Sequence, residues 1–225
     1  MRCRSFTFVL FALLANAQRP FSALNPSEQK EAIVGSQMAR AFRQHVTELN
    51  NPDALAFIEH VAAKLAAKLP ETAHSYTFAL IEEDNDKLLH EPAAFPAGYI
   101  FVPASLLLEA RDESELAGML AHAMAHIALG HGLKEPTVSG WTGFSARPLA
   151  SNKFVPASLM QDSPELERQA DQLAVRISAS AGFDADGLLR YLAREWPADA
   201  PDGAARDSRI RSMEKAIQTE SPPRN

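Results

Sequence analysis

Asp112-Glu113-Ser114-Glu115-Leu116-Ala117-Gly118-Met119-Leu120-Ala121-His122-Ala123-Met124-Ala125-His126-Ile127-Ala128-Leu129-Gly130 carries the strongest structural signal in the chain. Asp112 with Glu115 three residues on has the form of a capping box, so a helix opens there. From Leu116 to Leu129 the run is apolar on every side except for two imidazoles, which is the composition of a buried helix. Gly130 closes it, because glycine takes the left-handed conformation that ends helices. At about 100° per residue, His122 and His126 lie about 40° apart on one face, a single turn from each other. That spacing can present two imidazoles to one zinc ion, and two histidines simply packed in a core would show it equally well. Five residues past His126, His131 would point about 140° away if the helix continued, so it reads as a C-terminal histidine favoured by the macrodipole.

Upstream, Asn25-Pro26-Ser27-Glu28 combines an N-cap, a proline at N1 and a glutamate at N3, and predicts a helix to about His45. Asn51-Pro52 opens another, with Leu55, Ile58, Ala62, Leu65 and Leu69 recurring along one face. Residues 75–81, with Tyr76, Phe78 and Leu80, and the run Tyr99-Ile100-Phe101-Val102 read as strands. Downstream, residues 132–162 hold Gly140, Gly143, Pro136, Pro148 and Pro156 without a period, the pattern of a lid or a disordered segment. Ser163-Pro164 caps a helix to about Ala181, Gly182 ends it, Asp184 caps one through Trp196, and a last helical pattern covers 207–217. Two helices, two strands and then mostly helices predict a single α+β domain over residues 18–217, with a small sheet, followed by a polar tail at 218–225.

The 225 residues are 46% hydrophobic and 22% charged, enough for a buried core and a buried polar site without disulfides. A formal net charge of −6, with no cluster of Lys or Arg, removes the electrostatic footprint of nucleic-acid binding. Arg2 and Arg4, the apolar run 6–15 and Ala15-Asn16-Ala17 have the form of a signal peptide spanning residues 1–17, too short to cross a bilayer. Its removal would take away two positive charges, moving the net charge from −6 to −8, together with the single cysteine, Cys3. The expectation is a periplasmic or secreted protein with no transmembrane segment in the mature chain.

Glu167-Arg168-Gln169-Ala170-Asp171 puts Glu167 and Asp171 on one face of the 163–181 helix. A glutamate there could complete a two-His, one-carboxylate zinc shell, and Asp171 could accept the other ring N–H of a ligand histidine. A solvated acidic face formed with Glu165 is the alternative.

Taken together, Glu115 to His126, then Glu167 to Arg176 and Ala181-Gly182-Phe183-Asp184, resemble the CAAX prenyl protease/HtpX-like family of zinc metallopeptidases, and more narrowly its small soluble exported members. The likeness covers residues 24–217. It implies a mostly helical zincin-like domain with a small sheet beside the zinc helix, one Zn2+ held by His122, His126 and Glu167, and an unfolded or extended polypeptide as substrate. Phe95 to Val102 is similar to the family's edge strand, which makes Gly98, Tyr99, Ile100 and Phe101 the expected substrate-binding residues.

Two departures bear on catalysis. The family reads His-Glu-x-x-His, with that glutamate as the general base, and here the position is Ala123. A methyl group cannot carry a proton, and a positioned base is worth about 10² to 10⁴ in rate, so hydrolysis should be weak or absent. The family's His-Pro pair before a final Glu-Arg-Ile helix is also missing: Trp196-Pro197 through Asp207-Ser208-Arg209-Ile210 has no histidine. Another carboxylate could be recruited, with Asp171 or a glutamate of the long loop as candidates. The competing expectation is a catalytically inactive, peptide-binding quality-control protein that uses the edge at Gly98–Val102.

Overall fold

The computed structural model describes residues 21–69, 75–82, 91–134, 164–196 and 203–220. The expected signal peptide, residues 135–162 of the expected lid or disordered segment, and residues 221–225 of the tail lie outside them, while residues 132–134 of that segment are helical. Helix α1 (Pro26–Arg43) begins as its sequence predicts: the Asn25 side chain accepts from the N–H groups of Ser27 and Glu28, and Glu28 returns a bond to the Asn25 N–H. Strand β1 (Thr47–Glu48) is followed by α2 (Pro52–Ala66), capped by Asn51, then by β2 (Thr77–Glu82), β3 (Ala93–Phe95) and β4 (Tyr99–Pro103). After these come α3 (Ala104–Glu109), α4 (Glu113–Ala128) and a short α5 (His131–Lys134). Helices α6 (Pro164–Ser180), α7 (Gly187–Glu195) and α8 (Gly203–Glu220) complete the described chain. The result is a mostly helical α+β domain with one small mixed sheet, as expected.

Sheet order is β1-β2-β4-β3, with β2 and β4 parallel and both outer pairings antiparallel. This corrects the reading of residues 98–102 as an exposed edge. Tyr99, Ile100 and Phe101 of β4 are paired on both sides, by β2 and by β3, while Val102 pairs with β2 alone. A run apolar on both faces reads the same whether its edges are free or paired, and Ala93-Ala94-Phe95 carries too little β-preference to announce the neighbouring strand. The two edges, among the described residues, belong to β1 and β3, and of the two it is β3 that packs against α4. Gly98, which precedes β4, is fixed by its backbone: φ is +93° and an added Cβ would stand 2.1 Å from the Ser75 carbonyl oxygen.

Both faces of the sheet are buried, in strict alternation. Phe78, Leu80, Ile100 and Val102 enter the main core with α2, α4, α6 and α7. Ala79, Ile81 and Phe101 point the other way, where Phe42 of α1 meets Phe101 and Phe95 at ring-centroid distances of 4.8 and 5.2 Å. On the far side, α4 is packed by α6 and α7.

The start of α4 is tied to α7 by charge. Asp112 caps the Glu115 N–H as expected, but the Glu115 carboxylate takes the Arg111 N–H rather than that of the cap residue. Arg194 donates two further bonds to Glu115, at 2.8 and 2.9 Å. Burial alone would raise the Glu115 pKa, but the hydrogen bonds from Arg194 and from the Arg111 N–H, together with the charges of Arg194 and Arg190, outweigh it and hold the carboxyl below its ordinary value of 4.5. A depressed folded-state pKa contributes stability that is present above the unfolded value and lost as pH falls through the folded one. Urea midpoints are therefore expected to drop as pH is lowered below about 4.5, with a smaller drop in Glu115→Gln; equal drops would mean the pair plays no part.

Helix ends differ in detail from expectation. Asp186 rather than Asp184 precedes α7, and α8 runs from Gly203 to Glu220, so three residues assigned to the polar tail are helical. Among the described residues no helix is long and apolar enough to cross a membrane.

Candidate metal centre

Helix α4 is fixed before its histidines are considered: Leu116, Met119, Leu120 and Met124 are buried, and Gly130 closes the helix at φ +66°. This frame aims His122 and His126 at α6, their Nε2 atoms 3.1 Å apart. From α6, Glu167 meets both rings, with Oε2 at 3.4 Å from His122 Nε2 and Oε1 at 3.4 Å from His126 Nε2. The three residues offer ligand atoms that all lie within 4.8 Å of one another. Bonds of about 2.0–2.1 Å to a tetrahedral ion place ligand atoms roughly 3.3 Å apart, so the spacing observed suits such an ion.

Glu167 and Asp171 do share one inward face of α6. The solvated acidic face reduces to Glu165, which is paired on the surface with Arg168 at 2.6 Å. Asp171, fully buried, places Oδ1 at 3.0 Å from His122 Nδ1, on the side of the ring away from the cluster, along a line too bent for an ideal hydrogen bond. Its opposite face is taken by Arg209 of α8, whose Nε donates to Oδ2 at 2.9 Å and Nη2 to Oδ1 at 2.8 Å. Asp171 thus stands behind the His122 ring, and Arg209 fixes Asp171 there.

Three residues join the site that were not assigned from sequence. Arg209 also reaches Glu167 at 3.3 Å and Glu91 at 3.1 Å, while its guanidinium carbon lies 5.8 Å from the Trp196 ring centroid. Glu91, just before β3, brings Oε2 to 3.3 Å from His122 Nε2. His131 opens α5 instead of closing α4; it is buried, with Nδ1 3.2 Å from His126 Nδ1 and Nε2 3.4 Å from Gln169 Oε1. Left-handed Gly130 turns the chain enough to bring that ring back over His126. Ala123 is 1% exposed, its methyl packed in the main core.

The electrostatics match a cation. Burial opposes charge on His122, yet the carboxylates of Glu91, Asp171 and Glu167 around its ring hold its pKa well above 6.5. Burial would raise the Glu167 pKa, but hydrogen bonds from both histidines hold it well below the carboxylate range, and Arg209 with His122 brings Glu91 to about 2 against its own burial. With neutral imidazoles, three carboxylates and one guanidinium leave two negative charges, which a divalent ion would neutralise.

A buried helix offering two imidazoles, faced by a carboxylate helix and flanked by a small sheet, defines a zincin-type metallopeptidase scaffold. Residues 48–216 match the model of Peptidase family M48, and the chain belongs to that family, in agreement with the resemblance read from the sequence. It is also 26% identical over 185 residues to a Vibrio cholerae serotype O1 protein provisionally named a beta-barrel assembly-enhancing protease. That alignment covers 73% of this chain, which spans only 37% of the relative's length.

Proposed function

We propose that this chain is an exported zinc metalloendopeptidase domain that acts on unfolded or extended polypeptide in the cell envelope, with hydrolysis slowed by the alanine at position 123. The observation that carries this reading is the convergence of His122, His126 and Glu167 within 4.8 Å in a member of Peptidase family M48. These three residues would hold the ion. When bound, zinc polarises a scissile carbonyl and makes water a better nucleophile near neutral pH. Asp171 would keep the Nδ1 proton on His122 and leave Nε2 free for the ion, and His131 would set the ring of His126.

An extended substrate would pair with β3, which lacks a second partner among the described residues and packs against α4. This moves the substrate-binding role from Gly98–Phe101 to the neighbouring strand. The envelope location rests on the signal-peptide pattern of residues 1–17, and the name of the Vibrio relative makes unfolded outer-membrane proteins the first substrates to try.

Ala123 favours a second reading, peptide capture without turnover. Elemental analysis after dialysis without chelator is expected to give one zinc per chain, and an unfolded outer-membrane protein should be cleaved slowly, with cleavage abolished by a chelator. A protein that holds no metal would refute the zinc reading. Saturable binding without cleavage would establish capture.

A further inference from the structure

Three carboxylates surround the histidine pair among the described residues, and their placements assign them different work. Glu167 faces both Nε2 atoms and belongs to the group whose ligand atoms are mutually within 4.8 Å. Asp171 lies on the Nδ1 side of His122, is fully buried, and has both oxygens committed to Arg209. That removes Asp171 as the recruited base considered from sequence; a carboxylate behind the ring cannot reach a water in front of it.

Glu91 remains. It faces Nε2 of His122 at 3.3 Å, on the same side as the ligand cluster, yet falls outside the mutually close group. Its two oxygens are distinguished by their partners: Arg209 Nη1 donates to Oε1 at 3.1 Å, which leaves Oε2 turned toward the site. Its side chain keeps 30% exposure, whereas that of Asp171 keeps none. Glu91 also stands two residues ahead of β3, so a segment added to that edge would pass beside it.

We propose that Glu91 supplies the carboxylate that Ala123 lacks: anchored by Arg209 through Oε1, it uses Oε2 to orient the attacking water and to take its proton. Resting on the metallopeptidase reading above, the step balances. One water O–H bond breaks and its proton passes to Glu91 Oε2 as the oxygen bonds to the carbonyl carbon. The C–N bond then breaks, and Glu91 returns the proton to the departing amine. One water and one peptide bond are consumed, and the carboxylate is regenerated. A base delivered from outside the zinc helix and shared with an arginine is a weaker one, so hydrolysis is expected to be slow.

The test uses the full chain and four variants. In Glu91→Gln the slow, chelator-sensitive cleavage of unfolded protein is expected to fall about 10²-fold or more, with one zinc per chain retained. Glu91→Asp keeps the charge facing Arg209 but shortens the reach, and should fall part of the way. Adding Ala123→Glu to Glu91→Gln should restore cleavage, which a merely structural role for Glu91 would not allow. Independently of turnover, acetohydroxamate, which brings a hydroxyl proton to a carboxylate near the metal, should bind Glu91→Gln about tenfold more weakly. Glu91 also contacts Arg209, so Lys64→Gln, which breaks the exposed pair with Glu113 at the start of α4, serves as the control; it should leave acetohydroxamate affinity at the wild-type value. Unchanged cleavage in zinc-loaded Glu91→Gln overturns the proposal. So does loss of zinc from that variant, which would make Glu91 a ligand, and so does a zinc-loaded wild type with no cleavage at all. A wild type that binds no zinc overturns the metallopeptidase reading itself.

Discussion

His126→Ala protein, purified and dialysed without chelator, is expected to contain no zinc and to lose all chelator-sensitive cleavage. His126 is one of three side chains whose ligand atoms converge within 4.8 Å, and alanine leaves two donors where three are needed to hold the ion with an open position. Substitution of groups that merely orient a ligand costs about 10- to 100-fold in metal affinity, so loss of a ligand itself should exceed that. The fold should survive, because His126 is 23% exposed at the rim of the site and the helix is held by its buried apolar residues. Zinc retained at one per chain, with a native melting temperature, would place the metal elsewhere. His131→Gln provides the graded comparison, since His131 stands behind the ring of His126 rather than in the ligand group, and it should weaken the metal without abolishing binding.

The largest loss of stability is expected from Arg209→Ala. Its guanidinium makes two hydrogen bonds to Asp171, which has no exposed surface, and also reaches Glu91 and Glu167. Removing one partner of a buried pair leaves an uncompensated charge and costs about 3–5 kcal/mol. For a chain of this size that corresponds to a fall in Tm of roughly 6–20 °C. Arg209→Ala combined with Asp171→Asn should recover part of the loss, because the orphaned carboxylate is removed as well. A melting temperature within about 2 °C of wild type for Arg209→Ala would show that water or a shift of α8 satisfies Asp171. Zinc would partly mask the effect by stabilising the folded state, so the comparison is made after chelation.

What the sequence made legible follows from the range over which each signal acts. Asn25, Asn51 and Asp112 announced three helix starts because caps are set by residues within one turn. His122 with His126, and Glu167 with Asp171, were readable as pairs because four-residue spacing on a helix is geometry in itself. Nothing local announces Glu91, two residues ahead of β3, or Arg209, whose place on a final helix carries no sign of what it faces. His131 was misplaced because the turn at Gly130 reverses the direction its number implies. The sheet failed in the same way: β4 is legible as a strand, but whether its sides are free depends on Ala93-Ala94-Phe95, too short and too plain to announce a strand.

The family match begins at residue 48, after α1 has ended. Yet Phe42 on that helix seals the second face of the sheet against Phe95 and Phe101, and Glu31 accepts the Ala97 N–H at the turn joining β3 to β4. The recognisable family segment and the cooperative folding unit therefore have different limits. A chain cut to residues 48–216 would keep every metal-facing side chain and lose the apolar backing of the strand that positions one of them. The opening helix, remote from the chemistry in sequence, belongs to the site through the strand it supports.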